Sequence, residues 1–142
     1  MNIVVLNGSP AGKDSITLYT LLYIQKHFPE HRYEILHVAQ QIRKMEKEPE
    51  TWRRALAEAD LILFCYPVYT FLVPAQLHRF IEMIKASGVD LSGKYATQIT
   101  TSKHFYDVTA HQFIQDNCAD LGLKYVRGLS AEMDDLRHEQ GR

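Results

Sequence analysis

Short apolar runs of strand length alternate along this chain with longer segments in which apolar residues recur at helical spacing. The first run, Ile3–Leu6, is continuously apolar, which is typical of a strand that is covered on both faces of its sheet. This alternation predicts an α/β fold in which a parallel sheet carries helices on both faces. The predicted strands are Ile3–Leu6, Tyr33–Val38, Leu61–Cys65, Tyr95–Thr101 and Tyr125–Leu129, and the predicted helices are Ser15–Phe28, Glu50–Ala59, the segment from Pro74 to Gly88 and Val108–Leu121.

Length and charge restrict the class of protein. A chain of 142 residues, 46% of them hydrophobic, fits a single globular domain over residues 1–142. The formal net charge of −1 gives no basic surface for nucleic acid, and no apolar stretch is as long as a membrane span. Cys65 and Cys118 form no metal-ligand pair, and the seven histidines are interpreted as surface or capping residues. We therefore expect no metal site and a reducing, cytoplasmic location.

Three loops are the candidates for a binding site. In an open parallel sheet, ligands bind beyond the carboxyl ends of the strands, where the strand order reverses. The corresponding loops follow strands one, three and four, over Asn7–Ser15, Tyr66–Val73 and Thr100–Asp107. By contrast, we interpret Gln40–Glu50 as a charged connection with a solvated face, for which a partly helical structure stays open.

The first loop, LNGSPAGKDSIT, does not have the spacing of an ATP-binding loop. Gly8 and Gly12 are separated by three residues instead of four, and Lys13 is followed by an aspartate instead of a hydroxyl residue. Ser9, Ser15 and Thr17 surround the start of the first predicted helix, where free N–H groups and the helix dipole favour a monophosphate. The alternative is that Ser15 or Asp14 only caps the helix.

The second loop, YPVYTFLV, is apolar and aromatic in a place where loops are usually polar. Tyr69 and Phe71 would suit a flat aromatic ligand, with the backbone offering hydrogen bonds to its rim. Alternatively, these rings pack against a neighbouring subunit or fold inward. The third loop, TTSKHFYD, adds hydroxyls, a cation and two more aromatic residues. A phosphate pocket beside a flat apolar pocket describes flavin mononucleotide (FMN) better than ATP.

The pattern GSPxxxxSxT after the first strand, together with PVYxxxxPAQLHRFIE after the third, resembles the flavodoxin-like NAD(P)H-dependent FMN reductases and the flavin domains of iron–sulfur flavoproteins. This resemblance implies a flavodoxin-like three-layer sandwich with a five-stranded parallel sheet of order 2-1-3-4-5. It implies phosphate contacts from the first loop and ring contacts from the second and third. The cofactor-binding residues implied are Ser9, Pro10, Lys13, Ser15, Ile16 and Thr17 for the phosphate, Pro67, Val68, Tyr69, Thr70 and Phe71 for the isoalloxazine ring, and Thr101, Ser102 and His104 for its other side.

The implied enzyme takes hydride from NADH or NADPH onto FMN and passes electrons to a flavin, a quinone or an iron–sulfur acceptor. The cofactor performs this chemistry, so no acid–base catalytic residue is predicted. The expected partners are a small-molecule electron acceptor or a redox protein. Two alternatives stay open: a non-enzymatic flavodoxin-type electron carrier, against which the net charge of −1 argues, and a P-loop nucleotide-binding protein.

The C-terminus is short for this architecture. After the predicted fifth strand only SAEMDDLRHEQGR remains, so the final helix is expected to be short or missing, as in a truncated chain or one piece of a longer protein. Apolar sheet surface left uncovered there would favour association, and we expect a homodimer or a higher oligomer.

Overall fold

The computed structural model describes residues 2–8, 22, 25–26, 29–67, 75–102, 108–125 and 129–132. Within these ranges the elements follow the predicted alternation of strands and helices. The strands are β1 (Asn2–Asn7), β2 (Arg32–His37), β3 (Leu61–Pro67), β4 (Tyr95–Ser102), β5 (Lys124–Tyr125) and β6 (Leu129–Glu132), and the helices are α1 (Val38–Lys47), α2 (Pro49–Glu58), α3 (Ala75–Ser87) and α4 (Val108–Asp120). Residues 22, 25 and 26 are helical, in agreement with the predicted helix Ser15–Phe28, whose other residues up to 28 lie outside the described ranges.

The strands form one parallel sheet in the order β2-β1-β3-β4-β5, so the predicted order 2-1-3-4-5 is confirmed. Both β5 and β6 pair with β4. β5 pairs with its start, through Tyr95 and Ala96, and β6 pairs with its end, from Ile99 to Ser102. The predicted fifth strand, Tyr125–Leu129, ends earlier than the pairing, because β6 pairs with β4 up to Glu132, while residues 126–128 lie outside the described ranges.

The two faces of the sheet bury separate sets of side chains. Because side chains alternate along a strand, Val4 and Leu6 of β1 point into the main core, whereas Ile3 and Val5 belong to a second cluster. Helices α1 to α4 all contribute to the main core, with the largest group of buried residues coming from α3. Leu63 and Cys65 complete the second cluster, against which Tyr33, Ile35 and Leu61 pack.

The charged segment Gln40–Glu50 is helical in part, as the sequence allowed, and its charged side chains are exposed. Most of it belongs to α1, which begins at Val38 and buries Val38 and Met45. With Ile42 between them, these residues recur at helical spacing on one face, so the charges occupy only the other face. None of the helices in the described ranges is long and apolar enough to cross a membrane.

Candidate functional site

The carboxyl ends of β1, β3 and β4 lie side by side. Asn7 at the end of β1 is in register with Cys65, and the next residue, Gly8, donates its N–H to the Cys65 carbonyl at 2.8 Å. On the other side of β3, Pro67 is in register with Thr101. The three loops singled out in the sequence therefore start from neighbouring positions on one edge, as ligand binding at such an edge requires.

Only part of the predicted site lies on the described residues. Pro67 ends β3, and Thr101 and Ser102 end β4, so the starts of the second and third loops are adjacent, as predicted. The other predicted residues lie outside the described ranges, and their assignment stays a prediction. They are Ser9, Pro10, Lys13, Ser15, Ile16, Thr17, Val68, Tyr69, Thr70, Phe71 and His104.

Gly8 lies where the first loop leaves the sheet, and close packing explains the glycine. A Cβ atom at this position would lie 3.0 Å from Cδ2 and 3.1 Å from Cβ of Leu77, and 3.3 Å from Cβ of Tyr66. The backbone of Gly8 therefore lies directly against the first turns of α3 and the end of β3. Glycine is used where backbone must approach this closely. This contact fixes the origin of the first loop relative to the second.

A buried amide also lies at this edge. Asn7 is fully buried, and its Nδ2 donates to Nδ1 of His37 at 3.2 Å. His37 ends β2, so the contact joins the carboxyl ends of β2 and β1. In this arrangement Nδ1 accepts, so the proton of a neutral His37 ring is on Nε2. The sequence analysis did not single out either residue, although a polar residue closing an apolar run was the available signal.

A second set of polar side chains lies near the carboxyl edge, on the face of the sheet that packs into the main core. Tyr66 Oη donates to Oε1 of Gln98, and Gln98 Nε2 donates to Oη of Tyr125 at 2.5 Å. We call these three residues the Tyr66–Gln98–Tyr125 chain. Tyr66 and Gln98 are fully buried, and Tyr125 is half-buried. The sequence analysis missed this chain because its members are far apart and belong to three different strands.

The buried thiols offer no nucleophile. Burial raises the pKa of the Cys118 thiol to about 12 and raises that of Cys65 still further. Both are free and buried, and therefore serve as small apolar side chains. Among the described residues, no three His, Cys, Asp or Glu side chains cluster as ligands for a metal ion.

The arrangement of the strand ends fits FMN. The ends of β1, β3 and β4 meet at one edge, and a Cβ atom at Gly8 would fill the close approach between the first loop and β3.

Comparison with known proteins gives a family and a set of similar folds. The model of the family described as NADPH-dependent FMN reductase matches residues 1–131. None of the curated proteins compared with the chain matches it.

Several solved structures share the fold at low sequence identity. The structure of Smu.1420 from Streptococcus mutans UA159 superposes with a TM-score of 0.78 at 20% identity, over 99% of this chain and 94% of that one. A NADH:FMN oxidoreductase in its apo form gives 0.80 at 18% identity, over 97% and 79%. An FMN-dependent NADH-azoreductase from Bacillus anthracis, solved in complex with FMN, gives 0.74 at 12% identity, over 94% and 87%.

At these sequence identities the solved structures show the flavodoxin-like α/β fold alone. The family match is of a different kind, because it extends over nearly the whole chain. This protein belongs to the NADPH-dependent FMN reductase family and is an oxidoreductase that uses FMN with a reduced nicotinamide as co-substrate.

Proposed function

We propose that this protein binds FMN at the carboxyl edge of the sheet, transfers hydride to it from NADH or NADPH, and reduces a flavin, a quinone or an iron–sulfur acceptor. The observation that carries the proposal is the adjacency of the ends of β1, β3 and β4, with Gly8 packed against Leu77 and Tyr66. This adjacency supports one continuous site built from three loops that are distant in sequence.

Within the proposed site each loop has its own task. Ser9, Ser15 and Thr17 would hold the phosphate at the start of the first helix, assisted by Pro10, Lys13 and Ile16. The segment 67–71 would line the isoalloxazine ring and hydrogen-bond to its rim, and Thr101, Ser102 and His104 would border its other side. FMN supplies the hydride-accepting chemistry when bound, and the protein supplies placement and electrostatics.

The experiment that tests this function is a visible spectrum followed by anaerobic reduction. We expect the purified protein to be yellow, or to become so with added FMN, and to be bleached by NADH or NADPH at enzyme-like rates. Dithionite serves as the control that reduces any bound flavin. Bleaching by dithionite alone would favour the electron carrier, and a protein that does not bind FMN at all would contradict the proposal.

We further propose that residues 1–142 act as one FMN-binding domain in the cytoplasm, where the free thiols of Cys65 and Cys118 are stable. We also propose that two or more copies associate, and Tyr95 on β4, which is 46% exposed, is a candidate contact between them.

The expected oligomer is tested by light scattering at micromolar to millimolar protein concentration. A dimer or larger species agrees with the proposal. A monodisperse monomer throughout that range would contradict it.

A further inference from the structure

The Tyr66–Gln98–Tyr125 chain places polar groups in the main core, where the surrounding side chains are apolar. Phe64, Ala96 and Ile114 belong to the same buried cluster as Tyr66. A buried amide that loses its partners is costly, whereas an apolar side chain at position 98 would have no such requirement. Polar side chains that interrupt an apolar core are expected at functional sites. The chain therefore calls for an explanation beyond packing.

Both hydrogen bonds of the chain run diagonally across the sheet. Tyr66 is in register with Thr100, yet its hydroxyl reaches Gln98, two residues earlier on β4. Tyr125 is in register with Ala96, and it accepts from Gln98, two residues later. Long side chains reach diagonal neighbours in this way. The chain therefore adds a restraint on the relative twist of β3, β4 and β5 that the backbone ladder alone does not provide.

This restraint acts close to the proposed flavin site. Tyr66 directly precedes Pro67, the last residue of β3, and Gln98 lies four residues before the end of β4 at Ser102. The segments proposed to border the two sides of the ring leave from these two strand ends. Tyr66 also lies against Gly8, at the origin of the proposed phosphate loop. Tyr66 itself is fully buried.

We propose that Tyr66 and Gln98 are positioning residues. From the core, without contacting the flavin, they fix the orientation of the two segments proposed to border the isoalloxazine ring. Tyr125 holds the outer end of the same chain. This inference rests on the proposed function, because it assigns the Tyr66–Gln98–Tyr125 chain a role toward the FMN ring.

The test uses Tyr66→Phe and Gln98→Met, which remove the inner hydrogen bond and keep the side chains close to their original size. We expect the dissociation constants of FMN and riboflavin to rise by the same factor, about 2- to 30-fold. The factors are equal because ring contacts weaken while phosphate contacts do not change. In the flavin-free protein, amide hydrogen exchange of a peptide covering residues 67–74 should become faster. Tyr125→Phe keeps the inner bond and should have a smaller effect.

Two comparisons separate positioning from general loss of stability. The double variant Tyr66→Phe/Gln98→Met should resemble Gln98→Met alone, because Gln98→Met already removes the bond that Tyr66→Phe removes, together with the bond to Tyr125. Asn117→Leu removes a partly buried hydrogen bond in α4, from Asn117 Nδ2 to the Phe113 carbonyl at 2.8 Å. This control should lower stability and leave both flavin dissociation constants and the exchange of residues 67–74 unchanged.

The inference is overturned if Tyr66→Phe and Gln98→Met leave flavin affinity and exchange unchanged, or if Asn117→Leu alters them equally. Failure of the proposed function is observed separately, in the unmodified protein. An unmodified protein that binds neither FMN nor riboflavin contradicts the function before any variant is made, and the role of the chain is overturned with it.

Discussion

Ser15→Asp is expected to abolish FMN binding and to leave riboflavin binding intact. In the proposed site the FMN phosphate lies over the start of the first helix, and a carboxylate there competes for the same N–H groups. Like charges ~4 Å apart repel by about 4 kcal/mol per unit charge at an effective dielectric near 20, or roughly a thousandfold in affinity. Riboflavin has no phosphate to repel. Aspartate caps a helix as well as serine does, so the variant should stay folded.

Lys13→Ala is the matched change in the same loop. If the phosphate is held mainly by the helix N-terminus, this partly solvated charge contributes about 0–1 kcal/mol, and FMN affinity falls at most about fivefold. Titration of both variants with FMN and riboflavin, followed by flavin fluorescence, measures the four affinities. The phosphate assignment is wrong if Lys13→Ala loses FMN while Ser15→Asp retains it, since that pattern belongs to a nucleotide-triphosphate loop.

Trp52→Ala is expected to lower the free energy of unfolding by about 3–5 kcal/mol, the usual cost of deleting a large buried aromatic side chain. Trp52 is 3% exposed and packs edge-on against Phe80, with ring centroids 5.0 Å apart. Its Nε1 donates to the Met45 carbonyl at 2.9 Å, so one side chain joins α1, α2 and α3. Urea unfolding followed by circular dichroism measures the loss, because the substitution removes the chain's only tryptophan.

Trp52→Phe separates the hydrogen bond from the packing. It keeps an aromatic ring beside Phe80 and leaves the Met45 carbonyl without this donor, which should cost about 1–3 kcal/mol. Leu22→Ala, at a side chain that is 44% exposed, should change stability much less. If Trp52→Ala were no more destabilising than Leu22→Ala, the central role of Trp52 among these helices would be refuted.

The sheet could be predicted from the sequence because its signals are local. Ile3–Leu6 and Leu61–Cys65 are continuous apolar runs, and each is found inside the corresponding strand, β1 or β3. The extension of the last pairing to Glu132 was missed because LSAE is short and polar for a strand. Helix α1 was anticipated only as a connection that is helical in part, because its charges outnumber the few apolar residues, although Val38 and Met45 carry the helical pattern.

Only the location of the candidate site, at the carboxyl edge of the sheet, could be predicted from the sequence. Parallel topology brings the ends of β1, β3 and β4 together whatever their side chains are, so the adjacency of Asn7, Pro67 and Thr101 follows from the strand order. Contacts between side chains do not follow from it. The approach of Gly8 to Leu77 depends on how α3 packs, and the hydrogen bond from Tyr66 to Gln98 depends on residues from two strands meeting diagonally.

The burial of both cysteines has a consequence for the chemistry that surrounds a flavin enzyme. Peroxide and quinones attack the thiolate form of cysteine, and the raised pKa values keep Cys65 and Cys118 protonated at neutral pH. Because both side chains are also inaccessible, electrophiles that accumulate during turnover find no cysteine thiol to modify. The cysteines of a catalyst with this arrangement would be protected against modification by its own acceptors.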